Sequence, residues 1–481
     1  MLNIQKKTKI IATIGPASDS EESIRALLKA GMNIIRLNFS HGTYESHKNI
    51  IDLTRSFEKE HLYIPIMMDT KGPEIRCHFF KDGKAKVLKD SVVTIRMNEV
   101  LGTATDFSVN YPELVHDLKV GDEIKIDDGK LRLDVTKVDK KNGVITTKAY
   151  NTHNVRDRTG VNIPTARLTL PALSEIDKAD IAFAVKEKIN LIAASFIRSG
   201  DDVREIKAYL KELGAPNVSL IAKIENQEGV DNLNDILAEA DGIMVARGDM
   251  GVEIASELVP LMQSDIILAS RKVGKPVIIA TQMLDSMQSS PMPTRAEVSD
   301  VATAIKEGAD AVMLSGETAT GLYPILAAEM QQRIAIAMES QLPYTQLANF
   351  AYNYSEKKRS DAIATSVAST ANLIDARAIF CFSESGGSAI RISVSRPKCP
   401  IIMITASKQA AMRVAPYFGV IPVVVNKLPQ LIEDMEAFSL IKARQLNLTP
   451  KDNLIITGGT PTGVGGTNFL RIVALNEVRE F

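Results

Sequence analysis

The sequence predicts an α/β fold: a (β/α)8 TIM barrel with an inserted small β-barrel lid domain and a C-terminal α/β domain. Three observations lead to this fold class. Eight short apolar runs alternate with amphipathic helical segments; about a hundred residues after the third run have a different, strand-like alternation; and new βα units begin after a polar stretch at 354–360. Eight βα units in series favour a closed barrel over an open sheet.

The eight predicted barrel strands are short runs rich in β-branched residues. They occupy residues 8–15, 32–40, 64–72, 190–197, 218–226, 242–250, 275–284 and 309–317. Helical patterns separate them, among them 20–31, 174–189, 201–214 and 294–309, and several open with a capping Ser, Asp or Thr and close near a Gly. The pattern of strand, turn and helix is that of a βα barrel.

Two further regions complete the predicted architecture. Alternating strands at 84–89, 91–98, 122–138 and 143–150 predict a small β domain inserted after the third barrel strand, and apolar strands at 376–382, 399–405, 420–425 and 453–459 predict a separate α/β domain. We place the barrel at 1–71 and 166–345, the lid at 72–165 and the C-terminal domain at 355–481.

Composition excludes several classes of function. The chain has 481 residues, of which 45% are hydrophobic and 24% charged, with a formal net charge of −1. This balance lacks the basic excess of a nucleic-acid-binding protein, and we find neither a secretory signal nor an apolar run long enough for a membrane helix. Cys77, Cys381 and Cys399 form no CxxC pair, which argues for reduced thiols and against a thiolate metal site. We expect a cytoplasmic protein.

Lys223 and Glu225 lie two residues apart in a run predicted to be buried. Side chains alternate along a strand, so these two point the same way, toward the C-terminal end of the barrel where active sites of this fold lie. A buried structural ion pair is one explanation for Lys223. The other strands argue for a functional site, because several also end in polar residues: Arg36, Asn38, Ser40, Asp69, Asp249, Thr281, Ser315 and Glu317.

The strand ends predict a divalent metal site. Glu225 and Asp249 follow neighbouring strands, and two carboxylates completed by water and substrate oxygens suit Mg²⁺ or Mn²⁺. Lys223 then supplies a point charge for a phosphate or a developing oxyanion. The glycines of RGDMG, Gly248 and Gly251, precede a helical pattern whose amides can hold a carboxylate, although a simple turn explains them equally well.

A second group of oxygens predicts a monovalent cation. Asn38, Ser40, Asp69 and the carbonyl of Thr70 carry only one full charge among them, which suits K⁺ better than a transition metal. A helix-capping or turn network is the alternative.

These motifs, taken in order along the chain, resemble those of the pyruvate kinase family. The matching blocks are RLNFSHG, DTKGPEIR, ASFIR, IAKIENQEG, MVARGDMGVEI, ATQMLDSM, PTRAEVSDVA and VMLSGETATG, together with GVNIP, LPALSE and GGTN. They extend over nearly the whole chain.

The resemblance implies a glycolytic phosphotransferase that converts phosphoenolpyruvate and ADP into pyruvate and ATP, usually as a homotetramer with a regulatory C-terminal domain. It implies that Lys223 stabilises the transferring phosphoryl group and that Arg36 contacts the phosphate. Glu225 and Asp249 are then the magnesium ligands. The other roles that it implies are potassium binding by Asn38, Ser40, Asp69 and Thr70, substrate binding by Gly248, Asp249 and Thr281, and nucleotide binding by Asn38, His41 and Arg76.

The resemblance also implies an allosteric site for a phosphorylated effector. The expected loops contain Ser383, Ser385, Gly386, Gly387, Ser388, Gly463, Gly465 and Gly466. The first loop precedes a helical pattern and presents hydroxyls and amides to an anion, although a plain helix cap is the alternative. The glycines of the second loop match neither a Walker A motif nor GxGxxG, so a flexible loop is equally compatible with them.

Two positions depart from the family pattern. Ser199 stands where a lysine often follows ASFIR, and Cys77 stands where potassium-dependent members usually have threonine. Two other functions are compatible with part of this pattern: a metal-dependent barrel lyase acting on pyruvate-like enolates, and a regulator that keeps the fold without the chemistry. The lyase gives no reason for the lid or for Lys223, and the filled catalytic positions argue against the regulator.

Overall fold

A computed structural model describes residues 5–460 and 466–477 of the chain. Its strands, in chain order, are β1 Lys9–Thr13, β2 Ile34–Asn38, β3 Ile66–Asp69, β4 Ile75–Arg76, β5 Lys84–Val87, β6 Val92–Arg96, β7 Asp106–Ser108, β8 Glu123–Ile126, β9 Leu131–Asp139, β10 Val144–Ala149, β11 His153–Arg156, β12 Gly160–Asn162, β13 Leu191–Ala194, β14 Ser219–Ile224, β15 Gly242–Ala246, β16 Val277–Ala280, β17 Ala311–Leu314, β18 Ala378–Phe382, β19 Ile401–Thr405, β20 Val420–Val424, β21 Asn453–Gly459 and β22 Thr467–Ala474.

The α-helices follow the same chain order. They are α1 Glu21–Lys29, α2 Tyr44–Ser56, α3 Leu114–Asp117, α4 Glu175–Lys186, α5 Gly200–Glu212, α6 Gln227–Asp231, α7 Leu233–Glu239, α8 Arg247–Glu253, α9 Val259–Lys272, α10 Arg295–Glu307, α11 Gly316–Ala319, α12 Pro324–Glu339, α13 Tyr344–Tyr354, α14 Arg359–Leu373, α15 Gly387–Val394, α16 Lys408–Arg413 and α17 Ile432–Gln445. Short 3₁₀ turns cover Phe57–Glu60, Asp285–Gln288 and Leu475–Glu477.

Eight parallel strands close into a barrel in the order β1-β17-β16-β15-β14-β13-β3-β2. This confirms the predicted barrel, and each strand lies within one of the eight predicted runs. The strands are buried almost throughout, because apolar side chains fill the barrel interior on one face and pack against the surrounding helices on the other. The arrangement brings the C-terminal ends of all eight strands to one rim.

The region between β3 and α4 forms a separate mixed sheet with its own apolar core. Its strand order is β4-β12-β8-β9-β10-β6-β7, and β5 pairs separately with β11. A bridge between Cys77 and Val109 links the two ends of the seven-stranded sheet, so the sheet curls back on itself. The lid is therefore confirmed as an inserted β structure, and β4, β7, β11 and β12 are strands that the sequence patterns did not identify.

The C-terminal part is a five-stranded sheet in the order β20-β19-β18-β21-β22. The four predicted strands, β18 to β21, are present and parallel to one another, while β22 runs antiparallel to β21 at the edge. Residues of α14 and α15 contribute to the core on one face and residues of α17 to the core on the other. This confirms an α/β domain, whereas the residue limits given above for the three domains stay a prediction.

The C-terminal sheet contacts the barrel at the end opposite to the rim. Asp310, just before β17, forms an ion pair of 3.0 Å with Arg396 and accepts the amide of Phe418 at 3.1 Å. At the start of β1, Lys9 donates to the carbonyl of Val420. Among the described helices, none is long and apolar enough to cross a membrane.

Candidate active site

Lys223 is at the centre of the polar residues that meet at the barrel rim. Its ammonium nitrogen lies 3.0 Å from Asp69 Oδ1, 2.9 Å from Glu225 Oε1 and 2.6 Å from Ser195 Oγ. The three partners end three neighbouring strands, β3, β14 and β13, so the barrel order itself brings them together. The Lys223 side chain is only 10% exposed, which fixes its charge at one place on the rim.

Arg36 shares a carboxylate with Lys223. Its Nε donates to Asp69 Oδ2 at 2.7 Å and its Nη1 to Thr13 Oγ1 at 2.8 Å. Asp69 is nearly inaccessible to solvent. One of its carboxylate oxygens binds the Arg36 guanidinium and the other binds the Lys223 ammonium group. Two positive groups oriented by one buried carboxylate form a preorganised site for an anion with several oxygens.

The ionisation of this cluster follows from its carboxylates. Burial alone would lower the pKa of Lys223, but the charges of Asp69, Glu225 and Asp249 outweigh it and raise that pKa. Burial alone would raise the pKa of Asp69, but the positive charges of Arg36 and Lys223 outweigh it and lower the pKa of this carboxyl group. Lys223 therefore stays protonated and Asp69 ionised at neutral pH.

Glu225 and Asp249 have the properties expected of a pair of cation ligands. Glu225 Oε2 accepts the Phe196 amide at 2.6 Å, whereas Oε1 is buried and accepts no hydrogen bond of good geometry despite its proximity to Lys223. Burial first, and then the charge of Asp249, raise the pKa of Glu225 to about 7, against the opposing effect of Lys223. An oxygen without a directed donor, next to a second carboxylate, fits a hard divalent cation.

Within residues 5–460 and 466–477, no group of three or more histidine, cysteine, aspartate or glutamate side chains is placed to hold a metal ion by itself. A cation at Glu225 and Asp249 therefore needs oxygens from water or from a bound molecule. This composition is the one expected for Mg²⁺, which keeps several of its waters and commonly binds through one or two carboxylates.

Gly248 and Thr281 contact each other directly. The Gly248 amide, in the first turn of α8, donates to Thr281 Oγ1 at 2.7 Å, and the Thr281 hydroxyl donates to the carbonyl of Ala280 at 2.6 Å. Asp249 is the next residue of α8. The predicted substrate-binding amide and a predicted metal ligand, both in α8, thus adjoin the threonine that follows β16.

The predicted potassium ligands lie at the ends of β2 and β3. Asn38 is opposite Asp69 in the strand register, and its Oδ1 accepts the Ser40 amide at 3.1 Å. The carbonyl of Thr70 accepts the Ser195 hydroxyl at 2.7 Å. The strand register therefore places Asn38 beside Asp69, with Thr70 next along the chain, although Asp69 is also the counter-ion of Arg36 and Lys223.

A cleft of about 670 Å³ lies between the lid and the barrel rim. Arg76, Phe196, Arg198, Asp249 and Glu253 are among the residues that line it. Arg76 forms an ion pair of 2.6 Å with Glu74. His41 is exposed on the loop after β2 and is not among the residues that line this cleft, so the predicted nucleotide contacts Asn38 and His41 lie at and after the end of β2, whereas Arg76 lies on β4 of the lid.

The lid is in contact with the barrel across this cleft. Lys125 Nζ, on β8 of the lid, donates to the Val252 carbonyl at 2.6 Å, and Asn162 Nδ2, on β12, donates to Glu253 Oε1 at 2.7 Å. Both acceptors belong to α8. The helix that carries Gly248 and Asp249 is therefore also the helix that the lid contacts.

The structure describes the first of the two predicted effector loops and one end of the second. Ser383, Ser385, Gly387 and Ser388 line a small cavity of about 30 Å³ before α15. The lining also includes Arg391 and Thr467, and the Ser388 and Thr467 hydroxyls form a hydrogen bond. Gly386 has a left-handed backbone, and Gly466 adjoins β22 in contact with Gly459. Gly463 and Gly465 lie outside the described residues.

Two residues, Ser195 beside Lys223 and Arg391 beside the serine loop, were not identified from the sequence. Ser195, which binds both Lys223 and Asp69, is part of the ASFIR block but carries no charge pattern that would single it out. Arg391 lies in the middle of α15, and only the fold shows that it borders the serine loop. The signal that existed for Ser195 was its position at the end of a barrel strand.

The two departures from the family pattern have local structural explanations. Ser199 is the N-cap of α5, where its hydroxyl accepts the Asp202 amide in a reciprocal capping box. Cys77 is buried and pairs with Val109 at the junction of the lid sheet, and burial raises the pKa of its thiol to about 12. A buried thiol of this kind is protonated and packs as a small apolar group.

Comparisons with known proteins cover nearly the whole chain. Residues 5–328 match the family model described as pyruvate kinase, barrel domain, and residues 361–473 match pyruvate kinase, alpha/beta domain. Pyruvate kinases of Staphylococcus aureus strain MRSA252 and Staphylococcus haemolyticus strain JCSC1435 are each 46% identical to it, over 97% and 96% of this chain and 80% and 79% of theirs. The crystal structure of a pyruvate kinase from Cryptosporidium parvum superposes with a TM-score of 0.92 at 35% identity, covering 98% of this chain and 96% of that one.

Proposed function

Because the chain belongs to the pyruvate kinase family, we propose that it transfers the phosphoryl group of phosphoenolpyruvate to ADP, giving pyruvate and ATP. The observation that carries this proposal is the position of Lys223, a buried and protonated amine held at the barrel rim between Asp69, Ser195 and Glu225. Phosphoryl transfer depends mainly on positioned charge, and this cluster supplies it.

Lys223 and Arg36 act on the phosphoryl oxygens. Both side chains are oriented by Asp69, so neither needs to reorganise when negative charge spreads over the transferring group. Their shared carboxylate also keeps them from repelling each other out of the site. The two residues thus bind and stabilise the phosphoryl group as it moves between the enolate oxygen and ADP.

Glu225 and Asp249 hold the divalent cation in this proposal, with Mg²⁺ or Mn²⁺ as the ion. The support is the buried Glu225 Oε1, which accepts no hydrogen bond of good geometry and lies near the carboxylate of Asp249. When bound, such a cation supplies positive charge that neutralises the oxygens of the substrates. Family members are generally metal-dependent, and the identity of the ion is our proposal.

Gly248, Asp249 and Thr281 hold the substrate carboxylate. The amides in the first turn of α8 have no intrahelical partners, and within the described part of the chain the Gly248 amide bonds only to Thr281 Oγ1. A bound substrate carboxylate accepts a hydrogen bond from the Gly248 amide in place of Thr281 Oγ1. The Thr281 hydroxyl then contacts the same carboxylate. After transfer, the enolate carbon must receive a proton, and we assign Thr281, through an ordered water, to that path.

Potassium is proposed at Asn38, Ser40, Asp69 and the Thr70 carbonyl. The support is a set of oxygen donors with one formal charge on residues that adjoin one another at the ends of β2 and β3. Asn38, His41 and Arg76 are assigned to the nucleotide, since Arg76 lines the cleft below the lid and His41 lies on the loop that follows Asn38.

A phosphorylated effector and a homotetramer complete the proposal. The cavity of about 30 Å³ beside Ser383 and Ser388 holds about one water, so an effector has to move the surrounding loops when it binds. Exposed Leu261, Met292 and Leu322 on the barrel give apolar surface to an assembly of several copies. A mass measurement in solution tests the tetramer, and cytoplasmic location stays a prediction.

The deciding experiment measures ATP from phosphoenolpyruvate and ADP with magnesium and potassium present. We expect stoichiometric pyruvate and ATP. A lyase would consume pyruvate-like substrates without making ATP, and a regulator without chemistry would do neither, so one assay with both products quantified separates the three functions. Formation of pyruvate without ATP would contradict the proposal.

A further inference from the structure

Thr281 has a backbone conformation that a β-branched residue rarely adopts. Its φ is 66°, and Gln282 follows with a φ of 54°. Two successive left-handed residues with side chains are strained, the threonine especially, because its Cβ substituents crowd the backbone. Such strain persists only where the surrounding structure holds it in place.

Arg247 contacts Thr281 through the backbone. Its Nη2 donates to the Thr281 carbonyl at 2.8 Å, while its Nη1 bonds to Asp300 Oδ1 at 2.6 Å. The arginine side chain is 11% exposed and its Nε has no hydrogen-bond partner among the described residues, so the two Nη groups carry its main contacts. Arg247 opens α8 and Asp300 lies in α10, which makes the contact a link between two helices and the loop after β16.

The same segment sets the position of the Thr281 hydroxyl. Arg247 immediately precedes Gly248, whose amide donates to Thr281 Oγ1 at 2.7 Å. The first two residues of α8 therefore hold Thr281 at two points, the carbonyl through Arg247 and the hydroxyl through Gly248. A rotation of the Thr281 peptide toward negative φ would break the first contact and carry the hydroxyl away from the second.

We propose that Arg247, oriented by Asp300, is a positioning residue that holds Thr281 in its left-handed conformation and so keeps its hydroxyl at the substrate. This inference rests on the proposed function, in which Thr281 contacts the substrate carboxylate and serves the protonation of the enolate. It assigns Arg247 no contact with substrate or metal.

The chemistry of the guanidinium group explains why an arginine occupies this position. Its planar fork reaches a carboxylate with one nitrogen and a carbonyl with the other at fixed geometry. A lysine has one nitrogen on a flexible chain and reaches only one of the two partners. Arg247→Lys is therefore expected to keep part of the positioning effect that Arg247→Met removes.

The test is a double-mutant cycle on two reactions of the full-length protein: ATP formation and exchange of the C3 protons of pyruvate with solvent. The variants are Thr281→Val, Arg247→Met, the double variant, Arg247→Lys and Asp300→Asn. We expect Arg247→Met to slow proton exchange about tenfold to a hundredfold, the range that release of such backbone strain implies. Since both single changes remove the same hydroxyl from its place, the double variant should lie within about twofold of Thr281→Val.

The milder variants and a structural readout keep the test decisive. Arg247→Lys and Asp300→Asn should each give an intermediate loss, and a crystal structure of Arg247→Met should show Thr281 relaxed to negative φ. Arg204→Met is the matched control, since Arg204 forms ion pairs with Asp201 and Glu239 on the outer surface of the barrel; its activity should equal the parent's.

Three results would overturn the proposal: additive losses in the double variant, exchange by Arg247→Met within twofold of the parent, or a left-handed Thr281 that keeps its bond to Gly248 without the arginine. Failure of the proposed function looks different. In that case the parent chain itself makes no ATP from phosphoenolpyruvate, whatever residue occupies position 247.

Discussion

The ammonium group of Lys223 lies 3.0 Å from Asp69 Oδ1, a carboxylate on a strand two positions away around the barrel and 154 residues away in sequence. Asp69 was predicted from the sequence as a potassium ligand. In the structure it is also the counter-ion of the amine assigned to phosphoryl transfer. The proposed monovalent site and the proposed phosphoryl site are therefore adjacent and share a carboxylate, so a change in one is expected to affect the other.

Lys223→Met is expected to abolish ATP formation while leaving protonation of added enolpyruvate in place. Loss of one preorganised charge costs about 3 kcal/mol or more of transition-state stabilisation, which is a rate loss above about a hundredfold. The half-reactions are measured separately, with a thermal scan to check folding because the buried Asp69 and Glu225 lose a partner. Near-parental ATP formation would remove Lys223 from the proposed mechanism; Lys48→Met, at an exposed position on α2, is the control.

Glu225→Gln and Asp249→Asn are each expected to weaken Mn²⁺ binding at least tenfold. Each change removes a full negative charge and one anionic oxygen from the site, and hard divalent cations depend on both. Titration followed by electron paramagnetic resonance measures affinity independently of activity. Glu228→Gln, on the neighbouring helix α6, should bind like the parent, and equal Mn²⁺ affinity in all four proteins would contradict this metal site.

Activity is expected to depend on K⁺. The rate in potassium salt should exceed the rate in tetramethylammonium salt by at least tenfold, because the oxygens of Asn38, Ser40 and Asp69 can coordinate K⁺ and cannot coordinate the quaternary ammonium ion. Glu74→Lys should relax the requirement by placing an ammonium group nearby, whereas Glu212→Lys, exposed on α5, should not. The potassium site is wrong if both salts support the same rate in the parent protein.

A sugar phosphate or a nucleoside monophosphate is expected to lower the half-saturating concentration of phosphoenolpyruvate. A coupling of roughly 1–3 kcal/mol corresponds to a fivefold to 150-fold change. Ser388→Glu places a negative charge beside Ser383 and Arg391 and should abolish the response, while Ser340→Glu at the end of α12 should retain it. A panel of such metabolites without effect, or full activation of Ser388→Glu, would count against this site.

The stability of the chain is expected to depend on Lys6 at alkaline pH. Lys6 donates to the Thr8 carbonyl at 2.8 Å and to Asn33 Oδ1 at 2.7 Å, and burial, together with the charge of Lys9, lowers its pKa from 10.5 to about 7. Between those values the unfolded chain binds the proton and the folded chain does not.

The folded state therefore loses about 1.4 kcal/mol per pH unit as the pH falls from about 10 to about 7. Lys6→Met has no titrating amine at this position and does not lose this stability. Its melting temperature should therefore rise relative to that of the parent as the pH falls. Lys29→Met, on the exposed side of α1, provides the comparison. A difference that stays constant between pH 7.5 and 9.5 would show that Lys6 does not titrate in this range.

The barrel could be predicted because its signal is local and repeated. Each strand, each helix and the capping residues such as Ser20 and Thr294 are readable within about fifteen residues, and eight repeats leave little choice of architecture. The edge strand β22 was missed, since it follows a glycine-rich segment and alternates only weakly. Strands of two to four residues in the lid, such as β4, are too short for any periodicity to appear.

The site was predictable in its residue types and unpredictable in its pairings. Polar residues at strand ends identify Lys223, Glu225 and Asp69, because a barrel brings all strand ends together. Which of them touch depends on the strand order and on rotamers, so the sharing of Asp69 by Arg36 and Lys223 required coordinates. The contact of Arg247 with Thr281 has no local pattern at all, since it joins a helix start to the backbone of another loop.

The pairing of β1 with β17 has a consequence for how the chain is made. Thr13 donates its hydroxyl to the Leu314 carbonyl across 301 residues, and one edge of β1 has no partner until β17 has left the ribosome. At about 5–20 residues per second, about 15–60 s pass before this edge of β1 can pair, whereas all strand pairings of the lid lie within residues 75–162. The barrel therefore cannot close until about two thirds of the chain has been made, and we expect chaperones to bind the apolar edge of β1 during this period.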